Sequence, residues 1–257
     1  MDLTEATAVL NRVFEDYLIP LAFSTVQMNL HLEANQIDRS LSPIWYDDDG
    51  TLAAAGTLAV RETRGWIGGF GVAPPYRGRG LARALLESIV DGALERGLRS
   101  IQLEVLTENA RAIATYRRGG FTALRTLETF RWVPRARTHA RAGIVSAAPF
   151  LDRYERVVPC WQREIASLRS QPDLCCAALA EDAYAVFRQN RSEAQILKIE
   201  AQSSEAVAAL VSSIAEVFEV DAVTLFNEPS EGPIAGYVRT LAWERTFAQL
   251  EMLRTLA

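Results

Sequence analysis

The sequence predicts an α/β fold built in two successive halves, and three observations carry that expectation. Each half reads as helix or helices, three strands, helix, strand, helix, strand. A basic, apolar-poor segment with Pro and Gly, "PRARTHARAG" at 134–143, separates the halves. The first half alone carries "GGFGVAPPYRGRGLARALLESIV" at 68–90, rich in glycine and arginine between a strand and a helix. The 257 residues suit one large or two modest domains. The boundaries drawn are 1–138 for the first domain, 139–147 for the connection and 148–257 for the second.

"DLTEATAVLNRVFEDYLIP" reads as a helix. Asp2 or Thr4 can cap it, Leu3, Ala6, Val9, Leu10, Val13, Phe14 and Tyr17 form its apolar stripe, and Pro20 ends it. "FSTVQMNLHLEA" is a shorter helix. Residues 42–74 hold three strands, with turns at Asp49-Gly50 and at Thr63-Arg64-Gly65. The next helix buries Leu81, Leu85, Leu86, Ile89, Val90 and Ala93, turns Arg83, Glu87, Asp91 and Glu95 outward, and stops at Gly97. "SIQLEVL" is a buried strand, "ENARAIATYRRGG" a helix, and "FTALRTLETFRWV" one or two strands. In the second half "FLDRYERVVPCWQREIASLRS" reads as helical. "LCCAALAED", "AYAVFRQN" and "AQILKIEAQ" are strands, "SEAVAALVSSIAEVF" a helix, "AVTLFNEP" a strand, "IAGYVRTLAWE" a helix and "TFAQLEMLRTL" the last strand.

Composition narrows the function. Apolar residues make up 49% and charged residues 23%, which suits an ordinary globular core. A net charge of −5 argues against a general nucleic-acid binder. Three cysteines, Cys160, Cys175 and Cys176, form no disulfide framework, and two histidines argue against a histidine-rich metal site, so no metal is expected. No apolar run is long enough to span a membrane, and residues 1–17 lack a signal-peptide pattern. A cytoplasmic protein without membrane partners is expected, either monomer or homodimer.

The chemistry points to the "RGRGLA" turn. A helix N-terminus presents free backbone N–H groups to an anion, glycines let the backbone approach it, and arginines add charge. The same turn can equally be a solvated loop. Neither G-x-G-x-x-G nor a Gly-Lys-Ser/Thr run is present, which disfavours nucleotide hydrolysis.

A second motif sits downstream. "LEVLTENARAIATYRRGGF" runs strand, Asn109, a helix with Tyr116, then Gly120-Phe121. With Arg77, Gly80 and Ala82 upstream, residues 71–123 resemble the acyl-CoA-binding region of the GNAT superfamily of N-acetyltransferases. Its pyrophosphate loop is R/Q-x-x-G-x-G/A. The resemblance implies two GNAT-like domains, each a mixed, mostly antiparallel twisted sheet flanked by helices. The second domain lacks the cofactor motif and is expected to be degenerate. One departure is that the family's opening strand is missing before the first helix.

The resemblance implies acetyl-CoA as donor and an amine as acceptor, either a small molecule or a protein amino group. Backbone groups of Arg77, Gly78, Arg79, Gly80, Leu81 and Ala82 would hold the pyrophosphate. The charge of Arg77 and Arg79 serves phosphate or solubility. Phe70, Gly71 and Val72 would pair with the pantetheine arm, and a backbone N–H there would polarise the thioester carbonyl. The glycines at 68, 69 and 71 fit a strand that bulges or admits another backbone. Asn109 and Ala112 complete the cofactor set with Tyr116. No acid lies in 66–72, so Glu104 is the candidate base and Tyr116 the candidate acid. Glu104 can also be a charge on a covered face, and Tyr116 a buried aromatic. Asp16, Tyr17, Phe23, Met28 and Trp66 are candidate acceptor walls, equally explicable as core or surface. The competing reading is a non-catalytic acyl-CoA sensor or scaffold; a nucleotide-binding protein comes third.

Overall fold

A computed structural model describes residues 2–134, 141–153 and 157–256. The elements of the first half are α1 (Leu3–Val13), α2 (Thr25–Ala34), β1 (Ile37–Asp38), β2 (Ile44–Tyr46), β3 (Leu52–Arg61), β4 (Arg64–Val72), α3 (Leu81–Glu95), β5 (Ser100–Leu106), α4 (Ala110–Arg118) and β6 (Thr122–Trp132). Those of the second are β7 (Gly143–Ser146), α5 (Ala148–Leu151), α6 (Ile165–Leu168), β8 (Cys175–Ala180), β9 (Ala183–Asn190), β10 (Glu193–Glu200), α7 (Ser204–Val217), β11 (Ala222–Pro229), α8 (Pro233–Thr240) and β12 (Glu244–Thr255). The chain forms two compact units, Met1–Leu124 with Leu250–Ala257, and Arg125–Gln249.

In the first unit the strands run β1-β3-β4-β5-β12, with β2 also on β3. β3 and β4 pair antiparallel, β4 and β5 parallel. Alternation sends Ile101, Leu103 and Val105 into a core with Leu85, Leu86, Ile89 and Val90 of α3. A second apolar layer is made by Ala6, Val9, Leu10 and Val13 of α1 with Met28 and Leu32 of α2. Asp2 caps α1 and Ser24 caps α2, the latter in a reciprocal capping box with Gln27. Among the described residues no strand precedes α1.

In the second unit the order is β12-β6-β11-β10-β9-β8-β7. Leu210, Val211 and Ile214 of α7 and Ile234 and Val238 of α8 bury against Phe187, Ile196 and Leu225. Each unit is therefore a mixed sheet flanked by helices.

Five expectations need correction. α1 ends at Val13, not at Pro20. The β3–β4 turn lies at Glu62-Thr63, where Glu62 takes φ +52°, so Arg64 and Gly65 belong to β4. The connection drawn at 139–147 contains β7, paired antiparallel with β8; its residues 139–140 lie outside those described. Among the described residues, the stretch read as one helix across 150–170 holds the end of α5, a 3-10 turn at Trp161–Arg163 and α6, and Pro159 lacks the N–H a helix needs. Residues 154–156 of that stretch also lie outside the described ones. The final strand, assigned whole to the second half, returns through Leu250–Ala257 to the first unit. There Met252 and Leu256 join the apolar cluster around α3.

Candidate active site

The site grows from one irregularity in the first unit's sheet. Pairing of β4 with β5 runs from Arg64↔Ser100 to Ile67↔Leu103 and stops, while β4 continues to Val72 and β5 to Leu106. On the other side of β4 the register shifts, Thr57↔Gly69 then Leu58↔Ile67, which leaves Gly68 as the extra residue of a bulge. A bulge bends its strand and ends regular pairing, so the strands part beside it. Backbone groups that β4 and β5 would have exchanged there must find other partners, and Val72 O accepts from Arg77 Nε.

Of the neighbouring glycines, Gly68 is the expected bulge, and Gly71 admits the α1 backbone, a Cβ there standing 3.2 Å from Val13 O. A Cβ on Gly68 would stand 2.2 Å from the Trp66 ring, and one on Gly71 2.9 Å from Val13 Cβ. Gly69 would meet Leu10 at 3.1 Å. The run lets α1 lie directly on β4, and lets the Trp66 ring fold over Gly68.

Past β4, Pro74–Tyr76 forms a 3-10 turn and the chain reaches α3 through Gly78 (φ +76°) and Gly80 (φ +83°). No atom comes within 4 Å of a Cβ built on either glycine, so the space before the helix is open. Within α3 the first N–H groups to find acceptors are those of Arg83 and Ala84, both onto the Gly80 carbonyl. No acid stands in the first turn. Such a helix start suits an anion. Tyr76 pins the loop by donating its hydroxyl to Asp47, whose other oxygen accepts from Thr51 N at 2.7 Å. Arg79 is exposed, with Cζ 5.5 Å from the Tyr76 ring centre.

Arg77 does not simply offer charge. Its Nε donates to Val72 O at 2.9 Å, and its guanidinium forms a two-pronged pair with Asp16, Nη2 to Oδ1 at 2.7 Å. The hydrogen bond from Arg77 holds the Asp16 carboxyl below its ordinary range. A pair this exposed contributes about 0–1 kcal/mol, so its effect is to place the α1–α2 loop rather than to stabilise the fold. Asn11 holds the far end of that loop, donating to Phe23 O at 2.9 Å and accepting from Phe23 N at 2.8 Å. Between these anchors the Tyr17 hydroxyl lies against the Asn109 side chain and the Leu106 backbone. Burial nevertheless pushes its pKa up.

Asn109 caps α4, accepting from Ala112 N at 3.1 Å. Tyr116 follows two turns later. It is buried, with its ring 5.5 Å edge-on from Phe70 of β4 and 6.0 Å from Phe121. Burial, reinforced by Tyr17, holds its hydroxyl well above the ordinary phenol range. It therefore keeps its proton at every physiological pH.

Glu104 is the first β5 residue beyond the paired stretch. Trp66 Nε1 donates to its Oε2 at 2.6 Å. The Trp66 ring also meets His31, ring centres 6.1 Å apart, and Phe23 lies 5.5 Å from His31. His31 is half-buried as a residue, but the packing around its imidazole pulls the pKa down to about 4. The proposed walls thus separate into different places. Trp66 reaches Glu104, Phe23 reaches His31, Asp16 reaches Arg77 and Tyr17 reaches Asn109. Met28 is fully buried in the core between α1 and α2. His31 was not anticipated, and nothing in its sequence context marks it. Among the described residues no cluster of His, Cys, Asp and Glu could hold a metal, and no helix is long and apolar enough to cross a membrane.

Residues 9–121, which lie within the first unit, match the model of the acetyltransferase (GNAT) family. Ribosomal protein bS18-alanine N-acetyltransferase of Salmonella typhimurium is 35% identical over 115 residues, 45% of this chain and 75% of that protein. The chain belongs to the acetyltransferase (GNAT) family. Mycothiol acetyltransferase of Beutenbergia cavernae is 44% identical over 87 residues, 33% of this chain and 29% of that protein. The match thus spans less than a third of the mycothiol enzyme's length. A tandem GNAT protein from the clavulanic acid biosynthesis pathway aligns over 98% of this chain and 94% of its own. The TM-score is 0.65 and the identity 13%, a likeness of fold. Two units of GNAT-like plan in one chain agree with that likeness.

Proposed function

We propose that the first unit is an acetyl-CoA-dependent N-acetyltransferase that moves an acetyl group to a primary amine by direct transfer in a ternary complex. The observation that carries this reading is the parting of β4 from β5 immediately beside an open, glycine-lined helix N-terminus. Residues and ligand chemistry fit. The open start of α3 suits a pyrophosphate, from Arg77 through Ala82, with Arg79 as the exposed charge. The backbone of Phe70, Gly71 and Val72, unpaired with β5 apart from a Val72 carbonyl that Arg77 takes, suits an extended amide-bearing arm. Acetyl-CoA supplies an acyl group activated as a thioester.

The chain's own residues then divide the proton work. A lysine-type amine has a pKa of about 10.4, so it arrives protonated and must lose a proton before attack. Glu104 takes that proton at its carboxylate, held in place by Trp66. Tyr116 holds a proton at its hydroxyl for the departing sulfur, since a phenol is neutral at physiological pH. A backbone N–H in 70–72 polarises the carbonyl. The sensor reading drew on the missing acid in 66–72; an acid on the facing strand, hydrogen-bonded at the point of parting, supports turnover instead.

Thiol release from acetyl-CoA over a panel of small amines, aminoglycosides and peptide N-termini tests the reading. Release that depends on an amine supports it, whereas tight binding without release to any amine leaves a sensor. Tyr116→Phe is expected to lower kcat by about 10²-fold with acetyl-CoA affinity unchanged. Loss of binding in that variant would make Tyr116 structural.

A further inference from the structure

The second unit repeats the irregularity that builds the site in the first, and fills it. β10 pairs parallel with β11 from Glu193↔Ala222 to Ile196↔Leu225 and stops, as β4 and β5 do. The register of β10 against β9 shifts between Ile196 and Lys198, leaving Leu197 as the extra residue. Counting from the last paired position, Leu197 stands where Gly68 stands. Phe226, Asn227 and Glu228 stand where Glu104, Val105 and Leu106 stand.

Into this parting comes Arg163, from the 3-10 turn Trp161–Arg163. Its Nε donates to Leu197 O at 2.7 Å on one strand. Its Nη1 lies 3.1 Å from Phe226 O, 3.1 Å from Asn227 O and 2.7 Å from Glu228 Oε2 on the other. The Arg163 and Glu228 side chains are 4% and 5% exposed. The turn that delivers the arginine is itself anchored, with Trp161 fully buried and Ser167 Oγ donating to Trp161 O at 2.9 Å. The helix that follows β10 is closed as well. Ser203 accepts from Ala206 N at 3.2 Å, and Glu205 stands in its first turn. An anion is disfavoured there.

We infer that the second cleft is a built guanidinium site filled by the chain's own Arg163. A planar fork of donors meets buried carbonyls on both strands, and Glu228 balances its charge. The arginine satisfies the groups that bulging leaves unpaired, and it occupies the space an acyl-CoA arm would need. The second unit therefore keeps the GNAT fold with no acyl-CoA site of its own.

Arg163→Ala leaves Glu228 and the carbonyls buried without their donor, and lowers the Tm by about 10 °C. The decisive measurement is rescue. Millimolar methylguanidinium is expected to raise the Tm of Arg163→Ala, while equal potassium chloride does not and the wild-type Tm does not rise. A uniform fall of Tm with methylguanidinium in both proteins overturns the inference. Should Arg163→Ala fail to fold, Arg163→Lys carries the test. A single ammonium cannot span both strands and Glu228, so its Tm falls below wild type; a wild-type Tm overturns the inference. Rescue needs no acetyl-CoA, so it stands or fails separately from the activity of the first unit.

Discussion

Glu104→Gln is expected to lower kcat by about 10²- to 10⁴-fold while acetyl-CoA affinity stays unchanged. The substitution keeps the shape of the side chain, and its carbonyl still accepts from Trp66 Nε1, now 2.6 Å from the carboxylate. Only proton acceptance is lost. The remaining rate should then follow the ionisation of the amine itself, rising about tenfold per pH unit toward about pH 10.4 for a lysine-type acceptor. Steady-state kinetics across pH with the best amine from the panel checks this. Wild-type turnover in Glu104→Gln would hand the base to water or another group.

Gly80→Glu is expected to weaken acetyl-CoA by at least about 100-fold, or about 2.7 kcal/mol. Gly80 caps α3 at φ +83°, where an L-residue is strained, and a carboxylate there faces the position proposed for the pyrophosphate. Strain and repulsion must be separated, and Gly97 separates them. It lies past the other end of the same helix at φ +79°, also with nothing within 4 Å of a Cβ. Gly97→Glu shares the backbone cost and lies away from the proposed ligand. Calorimetry should show loss of binding only in Gly80→Glu. Equal losses in both variants would mean that α3 had been damaged rather than the anion site removed.

The parts of this site legible in the sequence are local ones. α3 and α4 carry their own periodicity, caps and stops. The Gly78 and Gly80 turn is written in residues that tolerate positive φ. The glycine run is legible as a strand that bulges or admits another backbone, and it does both. Gly69 and Gly71 make room for Leu10 and Val13, and only the bulge at Gly68 belongs to the parting. Contacts that span long sequence separations left no pattern to read. Asp16 finds Arg77 across 61 residues, and Trp66 finds Glu104 across 38. Arg163 shows the same limit more sharply. The stretch around it reads as helical, yet Pro159 interrupts that helix and the Arg163 side chain turns into the sheet. The return of the last strand to the first unit was hidden for a topological reason. Leu250–Ala257 has the alternation of any strand, and nothing local says which sheet it joins.

Calorimetric titration of the full chain with acetyl-CoA addresses the assignment of one site, in the first unit, most directly. One equivalent per chain, retained in Gly97→Glu and lost in Gly80→Glu, is the expected result. No binding, or binding that survives Gly80→Glu, would contradict it.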